Sequence, residues 1–230
     1  MAGPGDFEQA WLAKFANSID ETVGDDAKRQ VMECGEHFYD DSDRRDVIEW
    51  SRQALKRLAS LAGEEQVRQV MTACACRYPV TELEEARRVY RETGNLAKVH
   101  GMLRAKFEAF LRDTMGLDDD TVREVVDRGW GLAGIRQRDT IIATKIPKSG
   151  NLVAYLNETD PDERRRLYCH CPRIREVLRS AEPFPPVYCY CGAGFYKAIW
   201  EEILQRPVTV EVLESVMAGD EVCKIAIHLA

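Results

Sequence analysis

Val208-Thr209-Val210-Glu211-Val212 alternates apolar and polar residues, Ala218-Gly219-Asp220 is a turn, and Cys223-Lys224-Ile225-Ala226-Ile227-His228-Leu229 alternates again. Successive side chains of a strand point to opposite faces, so period-two patterning marks a half-buried strand, and two such runs about a turn make a hairpin. The chain is therefore predicted to end in a β-hairpin, with Cys223, Ile225, Ile227 and Leu229 on its apolar face and His228 on the other. Working upstream, Phe195, Ile199 and Ile203 form one stripe of a helix, and 187–190 reads as a short strand. Thr140-Ile141-Ile142-Ala143-Thr144 is β-branched and predicts a further strand.

Before Trp130 the period changes to that of helices. Phe7, Trp11, Leu12, Phe15 and Ile19 recur at helical spacing, and Gly24 separates them from a second helix carrying Val31 and Met32 and running on through Phe38. Ser42 or Asp43 opens a third, with Val47, Trp50, Leu55, Leu58 and Leu61 inward. Val67, Val70 and Met71 mark a fourth. Thr81-Glu82-Leu83-Glu84 has a capping-box pattern for a helix that Gly94 stops. Residues 96–115 form the longest amphipathic run, and 118–128 a further helix. The fold class is α+β: an N-terminal helical bundle over residues 1–117, followed by a smaller α+β module over 118–230 ending in the hairpin.

Composition narrows the function. A net charge of −7 argues against nucleic acid, because phosphate neutralisation requires a basic surface. The N-terminal Met1-Ala2-Gly3-Pro4-Gly5-Asp6 has no signal-peptide character, and no apolar run is long enough for a membrane helix. The expected compartment is the cytoplasm, where thiols stay reduced, so the eight cysteines are not a disulfide framework.

Six of the eight fall into Cys-x-Cys pairs: Cys74 and Cys76, Cys169 and Cys171, Cys189 and Cys191. Residues two apart on an extended or turn backbone point to the same side, so both sulfurs can reach one ion. Pro172 after Cys171, and the helix expected after Cys191, place two pairs at helix starts, where the dipole favours thiolate. Cys169, Cys171, Cys189 and Cys191 together supply enough sulfurs for a closed tetrahedral site. Cys34 and His37, three apart on the expected second helix, make a second set with Cys74 and Cys76. Zinc leads among metals; an iron–sulfur cluster and copper(I) also use thiolates, and a redox dithiol needs no metal. Packing is the competing explanation, since free cysteine is often a small buried hydrophobe, above all for Cys223 on an apolar strand face.

Gly129-Trp130-Gly131-Leu132-Ala133-Gly134 matches the dinucleotide-binding pattern but follows a helix rather than a strand, so it is discounted. His170 lies between two candidate ligands and is open to a role as ligand, base or surface residue. Tyr168, Tyr188, Tyr190, Phe195, Tyr196 and Trp200 surround the cysteines, either as core or as the lining of a small-molecule pocket.

Cys191-Gly192-Ala193-Gly194-Phe195-Tyr196, the following helix, Arg206-Pro207-Val208, and Ala218-Gly219-Asp220-Glu221-Val222-Cys223-Lys224-Ile225 resemble the C-terminal half of 4-vinyl reductase-type ligand-sensing domains. They also resemble the family that includes L-2-amino-thiazoline-4-carboxylic acid hydrolase. The resemblance implies an α+β module with an apolar pocket. In some sensing members a zinc site lies near this hairpin, and Cys223 matches one of its ligands. The other hairpin ligand is a cysteine where this chain has Ser215, which leaves the Cys-x-Cys pairs as substitute donors. The hydrolase family implies ring-opening of a small cyclic amide.

These readings give three expectations: a metal-thiolate protein with a small-molecule pocket and a structural metal; a hydrolase or thiol redox protein; or a ligand sensor acting through a protein partner. A small-molecule ligand is expected in each, without nucleic acid or membrane, and the sequence is compatible with a homodimer.

Overall fold

The computed structural model describes every residue except 1–5, 36, 148, 181 and 230, with Ser149 described by its backbone alone. The segment tested for signal-peptide character thus lies mostly outside the described residues.

The N-terminal part is helical, as its periodicity predicts. Helix α1 (Phe7–Thr22) is capped by Asp6, whose side chain accepts from the Gln9 N–H, and buries Trp11, Leu12, Phe15 and Ile19. Gly24, at φ 111°, makes the turn into α2 (Asp25–Met32). Helix α3 (Arg44–Leu61) is capped by Asp43 and buries Val47, Trp50, Leu55 and Leu58; Leu61, expected inward, is the last residue of the helix and is exposed. Helix α4 (Glu64–Ala73) buries Val67, Val70 and Met71. The capping box expected at Thr81 does not form: Val80–Leu83 is a 3-10 turn that runs directly into α5 (Glu84–Thr93), and Gly94 ends that helix in the left-handed conformation. Helix α6 (Leu96–Ala109) continues through a π-turn over Phe110–Thr114, and α7 (Asp119–Asp127) follows.

Strands β1 (Ile135–Gln137) and β2 (Thr140–Thr144) come next, then α8 (Leu152–Asn157), α9 (Pro161–Tyr168) and α10 (Tyr190–Leu204), then β3 (Thr209–Glu214) and β4 (Lys224–His228). The sheet is antiparallel throughout, in the order β1-β2-β4-β3. The hairpin pairs Val210 with Ile227 and Val212 with Ile225, with a bulge between Val212 and Glu214. The 187–190 segment is not a strand. Pro185 and Pro186 open a 3-10 turn over Pro186–Cys189 that passes straight into α10, five residues earlier than Phe195. Gly194 lets α10 touch α4, since a Cβ there would sit 1.9 Å from the Thr72 carbonyl oxygen.

Three apolar cores form, and each draws on both sides of residue 117. The first joins α1 to α4 with Ile174, Val177, Phe184 and Tyr188. The second packs α5, α6 and α10 on the sheet. The third gathers Phe107, Leu111, α7, Trp130, Leu152, Tyr155 and Tyr168. The glycines of 129–134 serve packing: Gly129, Gly131 and Gly134 all have positive φ, and a Cβ on Gly131 would collide with the Phe107 ring. Among the described residues no helix is long and apolar enough to cross a membrane.

Candidate functional site: a thiol-lined cavity

Antiparallel pairing of β2 with β4 places Thr144 opposite Lys224, so Lys145 and Cys223 leave the sheet at one end. The Lys145 N–H donates to the Cys223 carbonyl at 3.0 Å. The start of α10, with Cys189 as its N-cap and Cys191 in its first turn, comes to the same place, as does the end of α9, which Cys169 caps. Tyr168 ties these ends together. Its hydroxyl accepts from the Cys223 N–H at 2.9 Å and donates to the Lys145 carbonyl.

A cavity of about 560 Å³ opens here. Its walls carry Cys76, Cys169, Cys171, Cys189, Cys191 and Cys223, with His170 and Lys145 beside them. The remaining lining is mostly apolar and includes Trp11, Tyr78, Phe107, Phe110, Phe195 and Tyr196. Of the aromatics singled out in the sequence, Tyr188, Phe195 and Tyr196 line the cavity, whereas Trp200 is fully buried core.

Both members of the two C-terminal Cys-x-Cys pairs line this cavity, although Cys189 and Cys191 sit on helical backbone and not on the extended or turn backbone that the pairing argument assumes. The second proposed set is not assembled. Helix α2 ends at Met32, so Cys34 and His37 do not share a helix face; Cys34 lies in a turn at φ 59°, and both residues are exposed and away from the cavity. Cys74 is fully buried, and its thiol donates to the Val70 carbonyl at 3.2 Å. Only Cys76 of that set reaches the cavity. Among the described residues, no group of three or more His, Cys, Asp or Glu side chains is placed to hold one metal ion.

The thiols differ in acidity. Burial pushes Cys169 up to about 12, and likewise Cys191. The expectation that a helix start would favour thiolate is not met at Cys191. A turn and a 3-10 segment (Arg175–Arg179), rather than an α-helix, follow Cys171, and at Cys191 burial outweighs the dipole. Cys189 and Cys223 line the same cavity. The interaction between them raises Cys189 and brings Cys223 down to about 7, against the burial that opposes it there. The Val216 backbone, Lys145 and Ser215 add to the lowering at Cys223. The Ser215 hydroxyl donates to the Cys189 sulfur at 2.9 Å. Where the family resemblance expects a second hairpin cysteine, this chain therefore has a serine with Cys189 drawn up against it.

Lys145 escaped the sequence reading; its only signal is its place one residue past β2. Burial works against its ammonium, but the surrounding Cys223, Cys191, Cys171 and Cys169 outweigh it and raise its pKa. Gly192 makes room for it: a Cβ there would lie 3.2 Å from the Lys145 Nζ. The other cations of the wall are engaged, Lys106 by Glu82 and Arg173 by Glu8. The Lys145 ammonium has no carboxylate partner among the described residues.

A model of a family of unknown function, DUF6144, matches residues 164–230, the segment that carries Cys169, Cys171, Cys189, Cys191 and Cys223. Comparison with curated proteins gives no match, and comparison with solved structures gives none.

Proposed function

We propose that this protein binds a small molecule in the thiol-lined cavity, a ligand apolar over most of its surface and carrying one anionic group. The observation behind this is the pairing of an aromatic-walled space of about 560 Å³ with a cation that has no carboxylate partner among the described residues. The volume falls in the range of small-molecule sites, which are mostly apolar with a few placed polar groups. An ammonium in such surroundings recovers its lost hydration by pairing with an anion. Phe195, Tyr196, Phe107 and Phe110 supply the apolar contact, and Lys145 the counter-charge. The test is a thermal-shift series with aliphatic and aromatic carboxylates against the matching alcohols. Carboxylates are expected to raise the melting temperature of the native protein and not that of Lys145→Met. Equal shifts for acids and alcohols, or an unaltered response in Lys145→Met, refute the reading.

A second reading, a zinc ion held by thiolates, is favoured by the gathering of Cys169, Cys171, Cys189 and Cys191 in one wall. The soft donor set suits zinc, and an iron–sulfur cluster has the same demand. The described arrangement does not yet bring three donors to one point, so this reading requires the sulfurs to draw together. Elemental analysis of protein purified without chelator decides it: stoichiometric metal, lost in Cys171→Ser, supports the site, and metal-free protein of full stability removes it.

A further inference from the structure

Helix α10 gives one stripe to the cavity wall: Cys191 and Gly192, then Phe195 and Tyr196 a turn later. Lys145 reaches the first of these turns, since a Cβ on Gly192 would lie 3.2 Å from its Nζ. Tyr196 stands four residues on from Gly192, on the same helix face and about 6 Å further along the axis. Packing sets its ring. Tyr196 belongs to the core that joins α10 to the sheet, is 3 % exposed, and meets the Phe195 ring edge-on with centroids 5.5 Å apart.

The Tyr196 hydroxyl makes no hydrogen bond among the described residues. In the same wall the Tyr188 hydroxyl is committed, accepting from Arg173 at 3.0 Å. Unpaired polar atoms sealed from all surface include the Trp11 and Trp200 indole nitrogens but not the Tyr196 oxygen, so the little surface that Tyr196 keeps includes its hydroxyl, and that surface opens on the cavity. Phenylalanine would fill the same volume of core. A nearly buried hydroxyl without a partner lowers stability, which is offset where something entering the cavity accepts its hydrogen bond. A phenol is neutral at ordinary pH and donates more strongly than it accepts, so the matching group is an acceptor such as a carbonyl oxygen.

We propose that Tyr196 is a specificity-determining residue of the cavity, its hydroxyl donating to a ketone oxygen of a ligand whose carboxylate pairs with Lys145. The ligand class is then a keto acid with an apolar remainder, laid along the α10 stripe. This inference rests on the reading of the cavity as a carboxylate site. A simple acid satisfies Lys145 but leaves the hydroxyl unbonded, and a simple ketone does the reverse.

The test is isothermal titration of the full chain with three keto acids, benzoylformate, benzoylpropionate and benzoylbutyrate, each against the acid of the same length that lacks the ketone, phenylacetate, phenylbutyrate and phenylvalerate. In the native protein at least one keto acid is expected to bind about five- to tenfold more tightly than its partner, the gain of one hydrogen bond. Tyr196→Phe is expected to abolish that advantage, leave the simple acid's affinity unchanged, and melt within about 2 °C of the native protein, because no protein bond is lost. Lys145→Met is expected to weaken both members of the pair. Equal affinities within all three pairs in the native protein, or a ketone advantage that survives Tyr196→Phe, overturns the proposal, and the first comparison needs no variant to fold. If acids bind through Lys145 and the ketone adds nothing, only this inference falls. If no acid of either series binds, the carboxylate reading falls and takes this inference with it.

Discussion

The Arg173 guanidinium meets the Glu8 carboxylate at 2.6 Å with both side chains fully buried, although the two residues lie 165 positions apart. The same guanidinium stacks over the Trp11 ring at 3.6 Å and donates to the Tyr188 hydroxyl at 3.0 Å, which in turn lies 3.8 Å from the Cys171 sulfur. Arg44 approaches Glu8 Oε2, which Arg173 also contacts, at 3.2 Å. One buried charge network therefore pins α1 to the segment that carries the thiols and forms part of the cavity wall.

Removing one member of that network leaves a buried charge without its partner. Glu8→Ala and Arg173→Ala are each expected to lower stability by about 3–5 kcal/mol, measured by denaturant unfolding. The double variant Glu8→Leu, Arg173→Met is expected to be more stable than either single alanine variant, because no lone charge remains. Additive losses in the cycle would show that the pair does not act as a unit.

Two glycines predict opposite outcomes. A methyl group at Gly194 would overlap the Thr72 carbonyl oxygen of α4, and backbone cannot yield as a side chain can. Gly194→Ala is expected to cost at least about 2 kcal/mol. Gly101 is an exposed residue of α6 with open space around it, and Gly101→Ala is expected to stabilise by about 0.5–1 kcal/mol. Thermal melts of the two proteins check both signs.

Alkylation by iodoacetamide reports the acidity of the thiols. Thiolate is the reactive form, so a lowered pKa shifts reactivity to lower pH. Cys223, brought down to about 7, is expected to react with a midpoint near that pH and to slow as pH falls below it. Cys169 and Cys191, raised to about 12, remain thiols and react slowly up to pH 9. Peptide mapping against pH separates them. A Cys223 profile parallel to that of the exposed Cys34 would contradict the arrangement around Cys189 and Lys145.

Gly192→Ala tests the space left for Lys145. The new methyl would stand 3.2 Å from the ammonium nitrogen, which must then shift by about a few tenths of an ångström. Carboxylate affinity is expected to fall while the matching alcohols bind as before, and isothermal titration distinguishes the two. Loss of both ligands together would mean that the cavity itself has changed.

Period-two and helical patterning were enough to determine the α+β class, β2, the final hairpin, the opening of α3 at Ser42 or Asp43 and the stop at Gly94. These depend on neighbours in the chain, through side-chain alternation and local hydrogen bonds, and are therefore written locally. The spacing of cysteines two residues apart was equally legible, but packing decided that both members of the two C-terminal pairs line one cavity, since Cys189 and Cys191 lie on helical backbone, where residues two apart diverge. The same local reading failed for Cys34 and His37 because α2 ends before them. It also failed for 187–190, where consecutive prolines favour a 3-10 turn over a strand. What only the tertiary structure decided is which thiol is acidic, which cation faces them, and that Glu8 meets Arg173. Burial and through-space charge set these properties, and both arise only when segments far apart in the chain pack together.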